Sequence, residues 1–221
     1  SELLRRISQQ ASLSHWVVEF GAWDGRHLSN TFRLVEQGYS AVYIEGCSIK
    51  FQELLRTAGL HPSIFPINAY VTSIQDCDSS LDNLLSQTPL PYDYDVLSID
   101  IDSSDLDVWQ AAIRHRPKIV VIEINSSFAP GILKRHSPAL PGSSFSSTLA
   151  VALSKGYTLV AHTGNMIFVR NDCMAHVGLP QQFVDDPSLL FNWYWYYLDS
   201  HPWLLKACRR LLAFARRKLL S

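Results

Sequence analysis

Short apolar runs alternate with helical patterns through the first half of the chain. Residues 15–20 read as a buried strand, and 41–45, 94–100 and 118–123 read as further strands. Residues 64–68 read as a weaker strand. Pro66 cannot donate to a ladder, which predicts a sheet edge or a strand start. Helical periodicity falls between these runs, at 28–37, 49–58, 79–87 and 106–114. Gly38 and Gly59 stand where the first two helices would end. Five strands separated by helices predict a parallel sheet with helices on both faces.

The second half follows another pattern. Residues 125–143 are rich in Pro, Gly and Ser, and a loop of that length is usually functional or disordered. A helix is predicted at 144–155, with Gly156 as its stop. Residues 157–162 and 165–170 then read as two strands joined tightly at Thr163 and Gly164, a hairpin. The predicted fold class is therefore α/β, a mostly parallel seven-stranded sheet with a terminal antiparallel hairpin and helices on both faces. After residue 172 the character changes. Residues 191–198 are strongly aromatic, and 203–220 are apolar and basic with no acidic residue. The expected division is a sheet domain at 1–172 and a helical extension at 173–221.

Composition narrows the class. The chain has 221 residues, 47% hydrophobic and 18% charged, enough to bury a full core. A formal net charge of -1 gives no reason to expect a nucleic-acid partner. Cys47, Cys77, Cys173 and Cys208 are scattered, which fits reduced thiols in a cytoplasmic compartment and argues against zinc. Residues 1–13 show no apolar core of a signal peptide, and no run is long enough for a membrane span.

Candidate chemistry gathers at the predicted strand ends. An apolar strand runs into Gly21 and Gly25, four residues apart, with Glu19 two positions earlier. A dinucleotide turn would carry three glycines to approach a pyrophosphate. Here the expected ligand lacks a pyrophosphate and carries a cationic amino-acid end. Glu45, which ends the next strand 26 residues after Glu19, can accept hydrogen bonds from ribose hydroxyls. Asp100, Asp102 and Asp105 cluster at the end of the fourth predicted strand, and Glu123 and Asn125 end the fifth. Such a group needs something cationic between its members: a sulfonium, an amine or a hard divalent ion. Asp100 and Asp102 would lie on opposite faces if the strand continued, and would share an ion only if the chain turned at Asp102.

These residues resemble the first motif of class I S-adenosylmethionine-dependent methyltransferases, (D/E)xGxxxG. The resemblance implies a Rossmann-like fold and a cofactor site of Glu19, Gly21, Trp23, Gly25, Glu45, Gly46 and Asp100. Glu45 would hold the ribose, and Glu19 and Gly21 would line the methionine part. Asn68 and Ala69 match by position the place where this family often contacts adenine. The acidic strand end, residues 142–149 and the final hairpin are similar to the FkbM-like group of sugar and natural-product O-methyltransferases over about residues 14–171. Ser103 stands where that group has a glycine.

The implied reaction is methyl transfer to a hydroxyl of a saccharide, glycolipid or natural product. Asp100 and Asp102 are the first candidates for base, with Glu123 next. Asp100, Asp102 and Asn125 are the candidate ligands if a divalent cation such as Mg²⁺ takes part. Asp105 suits either a helix cap or a functional role. His27 and His162 are minor candidates, and Lys134, Arg135 and His136 suggest an acceptor-side loop. Residues 203–220 carry six basic residues among paired leucines, which suits packing on the domain, a homodimer mate or the inner face of a membrane. Two rival readings stand beside this one: a nicotinamide-dependent oxidoreductase on a similar sheet, and a non-catalytic binding module.

Overall fold

The computed structural model describes residues 2–9 and 11–201. The basic stretch 203–220 and Cys208 lie outside the described residues. The chain begins with α1 (Glu2–Ile7), β1 (Trp16–Phe20) and α2 (Phe32–Val35). It continues through β2 (Ser40–Glu45), α3 (Ser48–Leu60), β3 (Ile64–Asn68) and α4 (Leu81–Ser86). Next come β4 (Val96–Ile99), α5 (Asp105–Ala111), β5 (Ile119–Glu123) and α6 (Phe145–Ser154). The hairpin β6 (Tyr157–His162) and β7 (Asn165–Arg170) follows, then α7 (Gln181–Asp185) and α8 (Trp193–Ser200).

The seven strands form one sheet in the order β3-β2-β1-β4-β5-β7-β6. β7 pairs antiparallel with both β5 and β6, and the other pairings are parallel. This is the mostly parallel seven-stranded sheet with a terminal antiparallel hairpin expected from the sequence. β3 is an edge strand, where the missing N–H of Pro66 costs no central ladder bond. The central strands are buried on both faces. Val18, Phe20, Val42 and Ile44 enter one core and Val17, Ala41 and Tyr43 the other, as the two-residue period of strands requires.

Several helices are shorter than their periodicity predicts, and buried carboxylates are the reason. The helix predicted at 28–37 is reduced to Phe32–Val35. Ser29 Oγ and the Thr31 N–H donate instead to Glu19, at 2.8 and 3.1 Å. The helix predicted at 106–114 ends at Ala111. The N–H groups of Ile113 and Arg114 donate to Asp82, at 2.7 and 3.1 Å. Gly59 lies inside α3 rather than beyond it.

The described part of the extension packs on the sheet domain. Cys173 and Val177 are buried in one core and Phe191 in the other. Among the described residues no helix is long and apolar enough to cross a membrane.

Candidate functional site

The chain turns sharply after β1. Gly21 has φ +80°, and a Cβ there would fall 1.7 Å from the Asp100 carbonyl oxygen. Only glycine fits so close an approach of two backbones. The N–H groups of Gly21 and Ala22 donate to the Ile44 carbonyl, at 3.0 and 3.1 Å, which ties the turn to the end of β2. Trp23 also has positive φ. Its N–H donates to Glu45 Oε2 at 2.9 Å, and the Cys47 N–H donates to Oε1 at 2.7 Å. Two backbone donors thus orient the Glu45 carboxylate. Each of its oxygens keeps lone-pair capacity for a ligand hydroxyl.

Glu19 is buried and braced by Ser29 and Thr31; the Thr31 hydroxyl makes a further short bond to it. Burial raises its pKa, and the hydroxyl and amide donors act against that rise. Glu19 and Glu45 border one cavity of about 440 Å³ at the carboxyl ends of β1, β2 and β4. Gly21, Trp23, Gly46 and Ala69 share its wall with them, and Asp100 and Asp102 close it. The volume lies within the range of small-molecule sites.

Gly25 and Asn68 stand outside this lining. A Cβ on Gly25 would meet Leu54 and Tyr43 at 2.8 and 3.0 Å, so that glycine lets the turn pack on α3 and β2. Asn68 Nδ2 donates to the Glu45 carbonyl at 2.7 Å and ties the ends of β2 and β3 together. The Trp23 indole donates to Glu53 at 2.7 Å and carries Lys50 over its ring at 4.7 Å.

The acidic centre depends on where β4 stops. The strand ends at Ile99, and Asp102 takes a left-handed φ of 56°. The side chain of Asp102 therefore leaves the strand alternation. Asp100, Asp102 and Glu123 each offer an oxygen within 4.8 Å of the others. Ser103 is not among the residues with positive φ, so the backbone there does not require a glycine. Asp105 is not the cap of α5; Ser104 holds that position. The Asp105 carboxylate accepts instead from the N–H groups of Ile101 and Ser103, both at 2.9 Å, and so braces the turn that presents Asp102.

Burial, and then the charges of Asp100, Asp102 and Asp105, push the Glu123 pKa up to about 8. Burial also raises Asp100, and its hydrogen bond with Glu123 acts against that rise. The hydrogen bond between them raises Glu123 and lowers Asp100, which favours the proton on Glu123 with Asp100 as acceptor. Asn125 is engaged elsewhere. Its Nδ2 donates to the Pro141 carbonyl at 2.9 Å, and its Oδ1 accepts from the Ser127 N–H at 3.1 Å. That pairing holds the loop, so the amide is a poorer candidate ligand than the three carboxylates.

A second cavity, of about 370 Å³, lies beside the first. Glu123, Asn125, Ser127, Leu198 and Asp199 contribute to it, and Asp102 borders both. The Ser126 N–H donates to Asp199 at 3.0 Å, linking α8 to the loop. Leu198 and Asp199 were invisible as site residues in the sequence, because nothing local marks them. The expected basic contribution is absent from this wall. Arg135 pairs with Asp107 at 2.9 Å, and Lys134 and His136 do not line the cavity. His27 is exposed on the rim of the first cavity, edge-on to Trp23.

His162 serves the structure. Its Nδ1 accepts from the Asn192 N–H at 2.9 Å, so Nε2 carries the proton and donates to Ser126 Oγ at 3.0 Å. Burial pushes its pKa down to about 4, and the neutral ring joins loop and extension.

No family model matches the sequence, and no curated protein matches it. Solved structures resemble the fold at low identity. An S-adenosylmethionine-dependent methyltransferase from Aquifex aeolicus is 11% identical, with 76% of this chain and 86% of that chain covered and a TM-score of 0.43. M. capricolum TrmK in complex with S-adenosyl-homocysteine is 11% identical, with 77% and 68% covered and a TM-score of 0.46. The N-terminal domain of EvdMO1, in the presence of S-adenosyl-homocysteine and D-fucose, is 12% identical, with 76% and 81% covered and a TM-score of 0.45.

Proposed function

We propose that this protein is an S-adenosylmethionine-dependent methyltransferase acting on a hydroxyl of a saccharide, glycolipid or natural product. The observation that carries the reading is the pair of adjoining cavities with Asp102 in the wall of both. One has the carboxylates of Glu19 and Glu45 for an amino group and a ribose. The other has polar groups for a hydroxylated acceptor.

When bound, the cofactor supplies an electrophilic methyl group on sulfur. The protein's own task is to place and prepare the acceptor. Glu45, held by two backbone N–H groups, would bind the ribose hydroxyls, and Glu19 would face the cationic end. Asp102 and Asp100 would orient the acceptor oxygen and take its proton as it reacts. Glu123, with its pKa raised to about 8, would donate to Asp100 and leave Asp100 and Asp102 as the acceptors for that proton. The same three carboxylates are hard oxygen donors close enough together to hold a divalent cation such as Mg²⁺. Asp102, Glu123 and Asp199 also support a second reading, an acceptor nitrogen, because they line the second cavity without a cationic side chain among its lining residues.

Calorimetry with S-adenosylmethionine and S-adenosylhomocysteine tests the donor side. The intact chain should bind both. Glu45→Ala should weaken binding by about tenfold or more, the worth of hydrogen bonds to a charged group. No binding by the intact chain overturns the proposal. A thermal-shift comparison in which NAD stabilises the chain and S-adenosylmethionine does not would favour an oxidoreductase.

A further inference from the structure

The two sides of α8 differ in a way the cavities do not explain. One side is docked. The Trp195 ring lies 3.2 Å from where a Cβ on Gly164 would sit, Asp199 accepts from Ser126, and Leu198 walls the second cavity. The other side carries Trp193, Tyr194 and Tyr197, which are 52%, 63% and 58% exposed. At about 100° per residue these three rings share one helix face. Leu189, four positions before Trp193, is also more than half exposed. Large aromatic rings with polar edges, gathered on one face, suit a boundary that is apolar on one side and wet on the other.

Charge names the occupant. Directly beyond the described residues, 203–220 hold Lys206, Arg209, Arg210, Arg216, Arg217 and Lys218, with no acidic residue. The pairs Leu204 and Leu205, Leu211 and Leu212, and Leu219 and Leu220 alternate with those charges. An anionic lipid surface uses both properties: its headgroups attract the cations and its acyl boundary accepts rings and leucines. A nucleic acid would use the charge and leave the leucines without a partner.

We infer that the outer face of α8 is a docking surface for an anionic membrane, and that the basic residues of 203–220 supply charge for the same attachment. Docking there brings the wall of the second cavity to the lipid interface. Resting on the methyltransferase reading, the acceptor is then a hydroxyl compound carried on a lipid anchor.

Co-sedimentation of the full chain with vesicles tests the surface without cofactor or acceptor. Its failure is therefore separable from failure of cofactor binding in the calorimeter. Vesicles of phosphatidylcholine mixed with phosphatidylglycerol should carry the chain down, and phosphatidylcholine alone should not. Replacing Arg216, Arg217 and Lys218 together by Gln should lower partitioning on the order of tenfold to a hundredfold. Replacing Trp193, Tyr194 and Tyr197 together by Ser should lower it about tenfold. The single change Tyr197→Ser should act in the same direction, which keeps the test valid if the triple variant loses its circular dichroism. Equal binding to both vesicles, or none, overturns the inference. So does a triple-Ser variant that stays folded and binds unchanged. RNA capture without vesicle binding, or a dimer that the Ser variants dissociate while vesicles stay unbound, also overturns it.

Discussion

The two cavities meet at Asp102 but are built differently. The first comes from the ends of neighbouring parallel strands. Its key bonds run from the turn after β1 to the end of β2: the Gly21 N–H to Ile44 and the Trp23 N–H to Glu45. The second is assembled from the end of β5, the 125–143 loop and α8, joined by contacts such as Ser126 to Asp199 across 73 positions. A site made at consecutive strand ends inherits its geometry from the sheet. A site made from distant segments depends on each of several tertiary joints, which leaves it free to vary on a constant fold.

Breaking the first cavity should cost the most. Gly21→Ala would drive a Cβ into the Asp100 carbonyl at a positive φ, with backbone on both sides and nothing flexible to yield. Denaturant unfolding should show a loss of about 3 kcal/mol or more, together with loss of cofactor binding. A near-native variant would mean that the turn after β1 is not the rigid half of the comparison.

The second cavity should respond to acid through His162. Its pKa in the folded protein is lowered to about 4 from the ordinary 6.5, so the unfolded chain binds the extra proton first. This stability is fully present above the unfolded value and is lost as pH falls through 6.5 toward 4. Hydrogen exchange should rise at Ser126 and Asn192 in that window, before the amides of Gly21 and Trp23 change. Uniform exchange across both regions would erase the distinction.

Glu123 should act in the opposite pH direction and more weakly. A carboxyl with its folded pKa raised to about 8 contributes stability at low pH that is lost as pH rises from the ordinary value through 8. Glu123→Gln removes the charge that forms at high pH. Above pH 8 the variant should be more stable than the parent by on the order of 1 kcal/mol, because partial exposure screens the repulsion. Thermal melts across pH measure the difference, and a variant destabilised at pH 9 would contradict the origin given for the shift.

The smallest effect is expected at Asp199. Asp199→Ala leaves the Ser126 N–H without its acceptor, a change of about 1 kcal/mol. Calorimetry should give S-adenosylhomocysteine the same affinity in the variant as in the parent. A change in that affinity would show that the two cavities are coupled beyond their shared wall.

Much of the first cavity was legible in the chain. Glu19, Gly21 and Glu45 sit at strand ends that periodicity locates, and a parallel sheet collects such ends on one side. Helix lengths were harder to read, because the competitors for their N–H groups are carboxylates on other elements. Glu19 shortened α2 and Asp82 shortened α5. Asp105 shows the same difficulty at closer range. Its position in the sequence suggests a helix cap, yet its carboxylate turns back to the preceding loop.

By itself, the sequence determined the α/β pattern, the final hairpin and the carboxylates available for chemistry, and it narrowed the strand containing Pro66 to a sheet edge or a strand start. Strand period and backbone donor capacity are local properties, and local properties survive in a linear code. Tertiary structure decided which carboxylates meet. The left-handed turn at Asp102 brings it to Asp100 and Glu123, Asn125 is spent on its own loop, and α8 carries Leu198 and Asp199 to the second cavity. Those outcomes depend on distances between elements far apart in the chain, and only packing sets such distances.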